Sequence, residues 1–304
     1  MRRLAAGMAL LLAAAALLPI VGGPYALRIG MMLAMYISLA SSWNLLGGMA
    51  GYPSFATAAF FGVGAYTGAL LQGAGGPLPL AWAAGGVASA LVAFVVGWVV
   101  LPLRGHYFAI ASLAVVIVLR QIATNWTDLT GGGMGLNLPV LALGPEAQAR
   151  MIYAAQAVVA VLATLVSVVV AGGRLGFSLR CIKQNETAAG MLGLNTRAAK
   201  ATAFVLSGAI VGPAGAIYAS SVSYIEPGDV FDILLTVEPI IMTMLGGVGT
   251  VFGPLLGAGL FLLLEQTVWA SFLSVHAAVL GVLVVVLALF LPDGVLGRFR
   301  RARA

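Results

Sequence analysis

"GRLGFSLRCIKQNETAAGMLGLNTRAAK", Gly173 to Lys200, carries Arg174, Arg180, Lys183, Glu186, Arg197 and Lys200 in a chain that is otherwise almost free of charge. Long apolar runs flank it: "MIYAAQAVVAVLATLVSVVVAGG" ends at Gly173 and "ATAFVLSGAIVGPAGAIYASSV" begins at Ala201. About 20 apolar residues cross a bilayer as a helix. The quoted stretch therefore reads as a polar link between two membrane spans.

The rest of the composition agrees. Of 304 residues, 62% are hydrophobic and 8% charged. A soluble domain of ordinary composition has about 25% charged residues, so this chain has too little polar surface to cover a water-facing globule. The expected class is an all-α polytopic membrane protein, one transmembrane domain over 1–304. The net charge of +6 does not point to nucleic acid, because no basic face is interleaved with aromatics. Lys and Arg instead accumulate in cytoplasmic loops of membrane proteins. Cys181 is the single cysteine, and His106 and His276 stand alone in sequence, so no metal-ligand spacing exists.

The length of a spanning helix divides the chain into about ten spans, near 4–22, 26–46, 54–72, 78–101, 106–124, 151–171, 201–222, 234–248, 252–270 and 275–291. The first lacks a convincing cleavage site and is followed by more membrane, so a retained helix is expected rather than a signal peptide. The eighth is interrupted by Glu238-Pro239 and Gly246-Gly247 and is either one helix or two half-helices. Threading ten spans from a cytoplasmic N-terminus places 12 Lys and Arg inside and only Arg28, Arg120 and Arg150 outside. That bias predicts both termini, and the Gly173–Lys200 link, in the cytoplasm.

Glycines recur inside the spans as small-xxx-small patterns, as in "GVGAYTG" (Gly62, Gly64, Gly68) and "GPLLGAG" (Gly253, Gly257, Gly259). Such spacing lets membrane helices approach closely. Two segments also echo one another, "LGGMAGYPSFATAAF" from Leu46 and "LGGVGTVFGPLLGAG" from Leu245. Glycine- and proline-interrupted segments in corresponding halves accompany internal repeats and broken or re-entrant segments.

Within the link, Leu179, Ile182, Ala189 and Leu192 fall at helical spacing and Arg180, Lys183, Gln184 and Thr187 lie elsewhere on the wheel, which predicts a short amphipathic helix over 178–195. Gly193 would end it in a left-handed cap, with Asn195 or Thr196 capping the next span. Such a helix either rests on the membrane or docks into a groove on another protein.

Here the residues carry a resemblance. "LRCIKQNETAAGMLGLNTRAAKATAFVLSGAIVGPAGAIYA" resembles the cytoplasmic loop and following span of LivM-family permeases, subunits of bacterial ABC importers for branched-chain amino acids. The family's E-x-A-A-x-x-x-G-x-N core stands as Glu186, Ala188, Ala189, Gly193 and Asn195, preceded by Arg180, Lys183 and Asn185. "NLLGGMAGYPSFATAAFFGVGAYTGALL", "LRGHYFAIASLA", "TGGGMGL" and "IEPGDVFDILLTVEPIIMTMLGGVGTVFGPLLGAGLFLLLE" are similar to further family blocks, in the family's order. One departure is Ser54-Phe55-Ala56-Thr57 where the family commonly has Ser-Leu-Gly-His.

The resemblance implies a permease subunit whose loop is a coupling helix seated in a cytoplasmic ATPase. Its implied partners are a second homologous permease subunit, two ABC ATPases and an extracytoplasmic substrate-binding protein, in the bacterial inner membrane. Branched-chain amino acids are the implied cargo, with urea or short amides as close relatives. ATP would be bound by the partners, and this chain would hold no cofactor.

No HExxH, GxSxG or P-loop motif is present, so ATP hydrolysis by this chain is not expected. Candidate path residues are Asn44, Ser54 and Thr57 near the first Gly-Gly block, Tyr107 after Arg104-Gly105, and Glu238 beside Pro239. The long external segment "NWTDLTGGGMGLNLPVLALGPEAQAR" is either a docking surface for a binding protein or a flexible loop. A stand-alone secondary transporter and a membrane enzyme or assembly factor are the readings from other classes. The first predicts tolerance of changes at Glu186 and Gly193, the second a dependence on His106 or His276.

Overall fold

The computed structural model describes residues 23–139, 144–271 and Gly294. The first and tenth expected spans, and with them the question of a retained first helix, lie outside the described residues. Every one of the eight spans expected between them has a helix. These are α1 (Pro24–Trp43), α2 (Thr57–Gly73), α3 (Leu78–Val100), α4 (His106–Asn125), α6 (Pro145–Gly172), α8 (Thr196–Val222), α10 (Leu234–Gly246) and α11 (Gly253–Ser271). The polar link is α7 (Arg174–Met191), and two one-turn helices are α5 (Thr127–Thr130) and α9 (Pro227–Val230). Among the described residues, five segments are long and apolar enough to cross a membrane: α1 with its π-helical continuation Asn44–Gly48, α3, α4, α6 and α8.

Among the described residues, strand content is confined to β1 (Leu136–Asn137) and β2 (Tyr224–Ile225), paired antiparallel with Leu136 opposite Ile225. The pair ties the α5–α6 connection to the turn after α8, where Ser223 takes the left-handed conformation and accepts a bond from the Leu138 N–H. The chain thus has two polar ends. One gathers 44–56, 101–105, 173–200 and 247–252. The other gathers the β1–β2 tie and the connections around it.

Between the ends, α8 is the axis, packed along its length against α2 and α3, while α1 packs against α6. Lipid offers no hydrophobic drive between helices, so close backbone approach through small residues must supply the contact. A Cβ on Gly64 would overlap the Gly212 carbonyl, one on Gly215 the Phe61 carbonyl, and one on Gly212 the Gly85 carbonyl. The Ser89 hydroxyl, in the same seam, donates to the Phe60 carbonyl at 2.7 Å. The opposite face of α3 carries Val87, Leu91, Phe94, Val95 and Trp98 exposed, as lipid-facing side chains are.

The eighth span differs from expectation in one respect. Glu238-Pro239 does not interrupt it: α10 runs through Pro239 and stops at Gly246, before Gly247 at φ +130°. Pro239 sits in the second turn, where its missing N–H leaves the one helical bond to the Leu235 carbonyl unmade, and its own carbonyl takes the Thr243 hydroxyl at 2.8 Å. At 13 residues α10 is about 20 Å long, short of the roughly 30 Å of a hydrocarbon core.

Gly212→Leu is expected to lower stability by about 1–3 kcal/mol through overpacking of the α2–α3–α8 seam. Gly259, whose added Cβ would meet nothing within 4 Å, should accept Ala without loss. Thermal unfolding in detergent of the two variants against wild type checks the contrast.

Candidate functional site: the polar end around Glu186

The link between α6 and α8 folds as two helices rather than one. Asn185 sits at φ −161°, ψ 107°, an extended residue that breaks the ladder. Its side-chain oxygen accepts from the Ala188 N–H at 3.0 Å, so Asn185 is the N-cap of a second, short helix. That helix ends after Met191 in the cap expected of Gly193, which lies at φ +82° with nothing within 4 Å of an added Cβ. The Gly193 N–H reaches the Gly190 carbonyl at 3.0 Å and the Leu194 N–H the Ala189 carbonyl at 3.2 Å, the two bonds of a Schellman turn. Asn195 then caps α8, accepting from the Ala198 N–H at 3.0 Å. Both reversals from Asn185 onward are thus capped within the link itself.

The break redistributes the expected apolar face. Leu179, Ile182 and Ala189 are buried as expected, but Leu192 is 80% exposed and its neighbour Met191 is 83% exposed. The extended residue at 185 puts the second helix on a new axis, and its last turn stands clear of the bundle.

Glu186 is the centre of the site. Its carboxylate meets Lys200 Nζ at 2.7 Å and Arg104 Nε at 3.7 Å and accepts a hydrogen bond from the Tyr52 hydroxyl. Lys200, on the first turn of α8, is almost wholly buried and also donates to the Leu101 carbonyl at 3.2 Å and to the Tyr52 hydroxyl at 3.1 Å. Its three protons are thus all matched, and Nζ also lies 4.3 Å from the Tyr52 ring centre. Burial works against the charged form of Glu186, but the hydrogen bonds from Lys200 and Tyr52 and the charges of Lys200 and Arg104 outweigh it and hold the carboxyl below its ordinary range. Tyr52, by burial and by its bond to the carboxylate, is pushed well above the ordinary phenol range.

Two further basic residues tie the link to the bundle. Lys183 donates to the Gly48 carbonyl at 2.8 Å, at the end of the π-helical turn. Arg180 donates to the Ala171 carbonyl at 3.0 Å, satisfying the C-terminus of α6 with a cation, as the helix dipole favours. Ala188 is exposed beside the buried Ala189.

The candidate path residues separate. Asn44 is fully buried, and its amide stitches two loops together: Nδ2 donates to the Thr250 carbonyl and Oδ1 accepts from the Gly249 N–H, both at 2.8 Å. Ser54 and Thr57 are buried nearby and line a cavity of about 10 Å³ with Trp43, Phe60, Phe204 and Ser207, room for one water at most. Ser54 also uses its backbone carbonyl to accept from the Trp43 indole at 2.9 Å. Tyr107 stands apart, 76% exposed at the start of α4. Glu238 lies further along the bundle, on α10. The five do not converge on one site. Among the described residues no three His, Cys, Asp or Glu side chains cluster as a metal site would require.

Tyr52, Arg104 and Lys200 are the site residues that pattern reading missed. Lys200 and Glu186 are separated by the capped turn, and Tyr52 lies 134 residues from Glu186. The available signal was chemical: a single acid within a basic stretch, in a protein that buries nearly everything.

Removing one member of a buried pair strands the other. Lys200→Met is expected to cost about 3 kcal/mol, and the double change Glu186→Gln with Lys200→Met should recover most of it. The carboxyl is depressed in the fold, so its contribution is complete above its ordinary value of 4.5 and disappears as pH falls through the lowered one. The stability gap between wild type and Glu186→Gln should therefore close on acidification, as unfolding midpoints across pH will report.

Comparison with known proteins gives these features a family. A family described as "Branched-chain amino acid transport system / permease component" matches residues 25–289. The chain is 28% identical to the high-affinity branched-chain amino acid transport system permease protein LivM of Escherichia coli strain K12, over 86% of this chain and 68% of that one. It is 29% identical to the LivM protein of Salmonella typhimurium, over 88% and 69%. It is 25% identical to the LivH permease protein of E. coli, over 86% and 91%. No solved structure matches the chain. With nearly its whole length covered, the chain belongs to the family of branched-chain amino acid transport system permease components.

Proposed function

We propose that this chain is the membrane-embedded permease subunit of an ATP-driven ABC importer for branched-chain amino acids. In this reading it pairs with a second homologous permease subunit. Two cytoplasmic ABC ATPases drive the pair, and an extracytoplasmic binding protein supplies the cargo. The end that carries Glu186 faces the cytoplasm of a bacterial inner membrane, with both termini on that side. The Gly-Gly loops after α1 and α10 are re-entrant and repeat-related, supported by their shared Leu-Gly-Gly start and their meeting at Asn44.

The observation that carries the reading is the short helix after Asn185. It presents Met191 and Leu192 to the outside, yet its first residue is fixed to α8 through the Glu186–Lys200 pair. An isolated six-residue helix is unstable in water, and exposed adjacent apolar side chains are unfavourable unless something covers them. Capping at both ends and anchoring at one make this helix a rigid knob suited to a groove on a partner. A displacement of the knob is passed to α8 by the ion pair and to the Asn44 loops by Lys183.

The cargo assignment rests on the family, and the site itself names none. Urea or a short amide is the alternative cargo of the same machine.

Labelled-leucine uptake by the chain with its partners, in cells without other leucine carriers, tests this. Uptake should require the ATPases and fall at least about tenfold, the effect of 1.4 kcal/mol, with Met191→Asp and Leu192→Asp together. Ala189→Pro, which breaks the knob, and Gly193→Val, which strains its left-handed cap, should do the same while the complex still assembles. Full uptake by these variants sinks the coupling role. An assembled, ATP-hydrolysing complex that ignores leucine redirects the cargo to urea and amides.

A further inference from the structure

The segments of the Glu186 end carry six cations, Arg104, Arg174, Arg180, Lys183, Arg197 and Lys200, against one acid. That acid is taken by Lys200 and Arg104, and Arg180 and Lys183 are tied to carbonyls of the bundle. Arg197 is different. It lies in the first turn of α8 and forms no ion pair among the described residues. Its guanidinium carbon stands 6.0 Å from the centre of the Trp98 ring, and one N–H reaches the Trp98 carbonyl at 3.4 Å, a long bond. Most of the donors of its planar fork are left over.

Trp98 holds a second unused donor. Trp43 and Trp82 spend their indole N–H inside the protein, on the Ser54 carbonyl and the Ser220 hydroxyl. The Trp98 indole is 70% exposed, and its N–H has no partner among the described residues. Position decides what these donors can meet. Trp98 ends the exposed stripe Leu91, Phe94, Val95 and Trp98, which repeats at helical spacing along the lipid side of α3. The helix stops just beyond it, at Val100. On α8, Ala201 and Val205 follow Arg197 on one face and are partly buried. A Cβ on Gly97 would lie 3.0 Å from the Phe204 ring, so the end of α3 and the start of α8 are held together. The two donors therefore stand at the level of the headgroups, where Trp side chains concentrate, next to a strip of lipid-facing carbon.

We propose that Arg197 and Trp98 form a binding site for one anionic phospholipid. Its phosphodiester accepts from the Arg197 fork and the Trp98 indole, and an acyl chain lies along Leu91, Phe94 and Val95. A guanidinium matches phosphate oxygens in pairs. The excess of cations at this end disfavours the ammonium of a zwitterionic headgroup and favours a headgroup with net negative charge. Free phosphate satisfies the same donors but leaves the carbon strip unused, so the lipid is the ligand that fits the whole surface. Seated there, it bridges α3 to the turn of α8 that carries Lys200, and clamps the two from the membrane side.

The test is native mass spectrometry of the full-length chain in detergent, given phosphatidylglycerol and phosphatidylcholine with the same acyl chains in equal amounts. Phosphatidylglycerol should be retained about fivefold better, and Arg197→Gln should remove that preference, the weight of one basic side chain at a membrane surface. Arg197→Lys keeps the charge without the fork and should fall between. Trp98→Leu keeps the carbon strip without the donor and should weaken retention of both lipids. Arg150→Gln, at the other end of the bundle, should change nothing. The unfolding midpoint of the unsubstituted chain gives a second reading, raised by phosphatidylglycerol and not by phosphatidylcholine or inorganic phosphate. Equal retention of the two lipids overturns the proposal, as does a preference that survives Arg197→Gln. Displacement of the lipid by inorganic phosphate alone would make this a phosphate site and overturn the lipid assignment.

Discussion

A carboxylate kept ionised inside a largely apolar chain is the constraint from which the polar end is built. Taking two charges out of water costs several kcal/mol for each ion, and only a fully matched set of donors offsets that. Glu186 and Lys200 have such a set, from Tyr52, Arg104 and the Leu101 carbonyl. These groups come from four separate parts of the chain, so the network forms only when the α1–α2 loop, the α3–α4 loop, α7 and α8 are all in place. It specifies an arrangement more than it adds stability, since a buried pair is weak evidence for net stabilisation.

The helical seam obeys a different rule. Gly64, Gly85, Gly212 and Gly215 bring three backbones into contact, where a Cβ would hold them apart. Hydroxyls then use the proximity. Ser207 on α8 donates to the Ser42 carbonyl of α1 at 2.7 Å, and the Ser220 hydroxyl accepts from both Gln72 and Trp82 at 2.8 and 2.9 Å. Each is a polar group satisfied inside the membrane by a neighbouring helix, as the solvent there requires. Among the described residues the Gln156 amide and the Tyr66 hydroxyl stand out against this background, both buried with no hydrogen-bond partner.

What the sequence made legible follows from the range of the interactions involved. Spans come from composition averaged over 20 residues, and all eight inside the described residues have their helix. The caps at Gly193 and Asn195 depend on two or three neighbouring residues and were equally readable. The break at Asn185 was not: a helical pattern of apolar residues continues across it, and only the local competition of the Asn side chain for the Ala188 N–H decides against one helix. That break moved Leu192 from the expected buried face to the surface. Asn44 was read as polar and near a glycine block, which suits a path or a stitch alike. Its partners Gly249 and Thr250, about 205 residues away, make it a stitch. Pro239 was read as an interruption because proline breaks helix interiors, yet α10 runs through it and gives up the one bond to the Leu235 carbonyl.

The two polar ends are joined by one element. α8 has 27 residues and is about 40 Å long, enough to cross the bilayer and project beyond it. Its N-terminal end holds Lys200, its middle is pressed between Gly64 and Gly85, and at its C-terminal end Tyr218 and Ser221 border a cavity shared with the first turns of α1 and α6. Pro213 lies at mid-length, where the Ala209 carbonyl loses its helical donor. A rod with one weakened turn, clamped on both sides of it, has two ways to respond to a push at Lys200. It can shift as a unit, carrying the α2–α3 seam with it, or it can bend at Pro213. Gly86, whose added Cβ would lie 2.9 Å from the Pro213 ring, lets α3 pack directly against the proline, so the weakened turn is held inside the seam rather than left open to lipid.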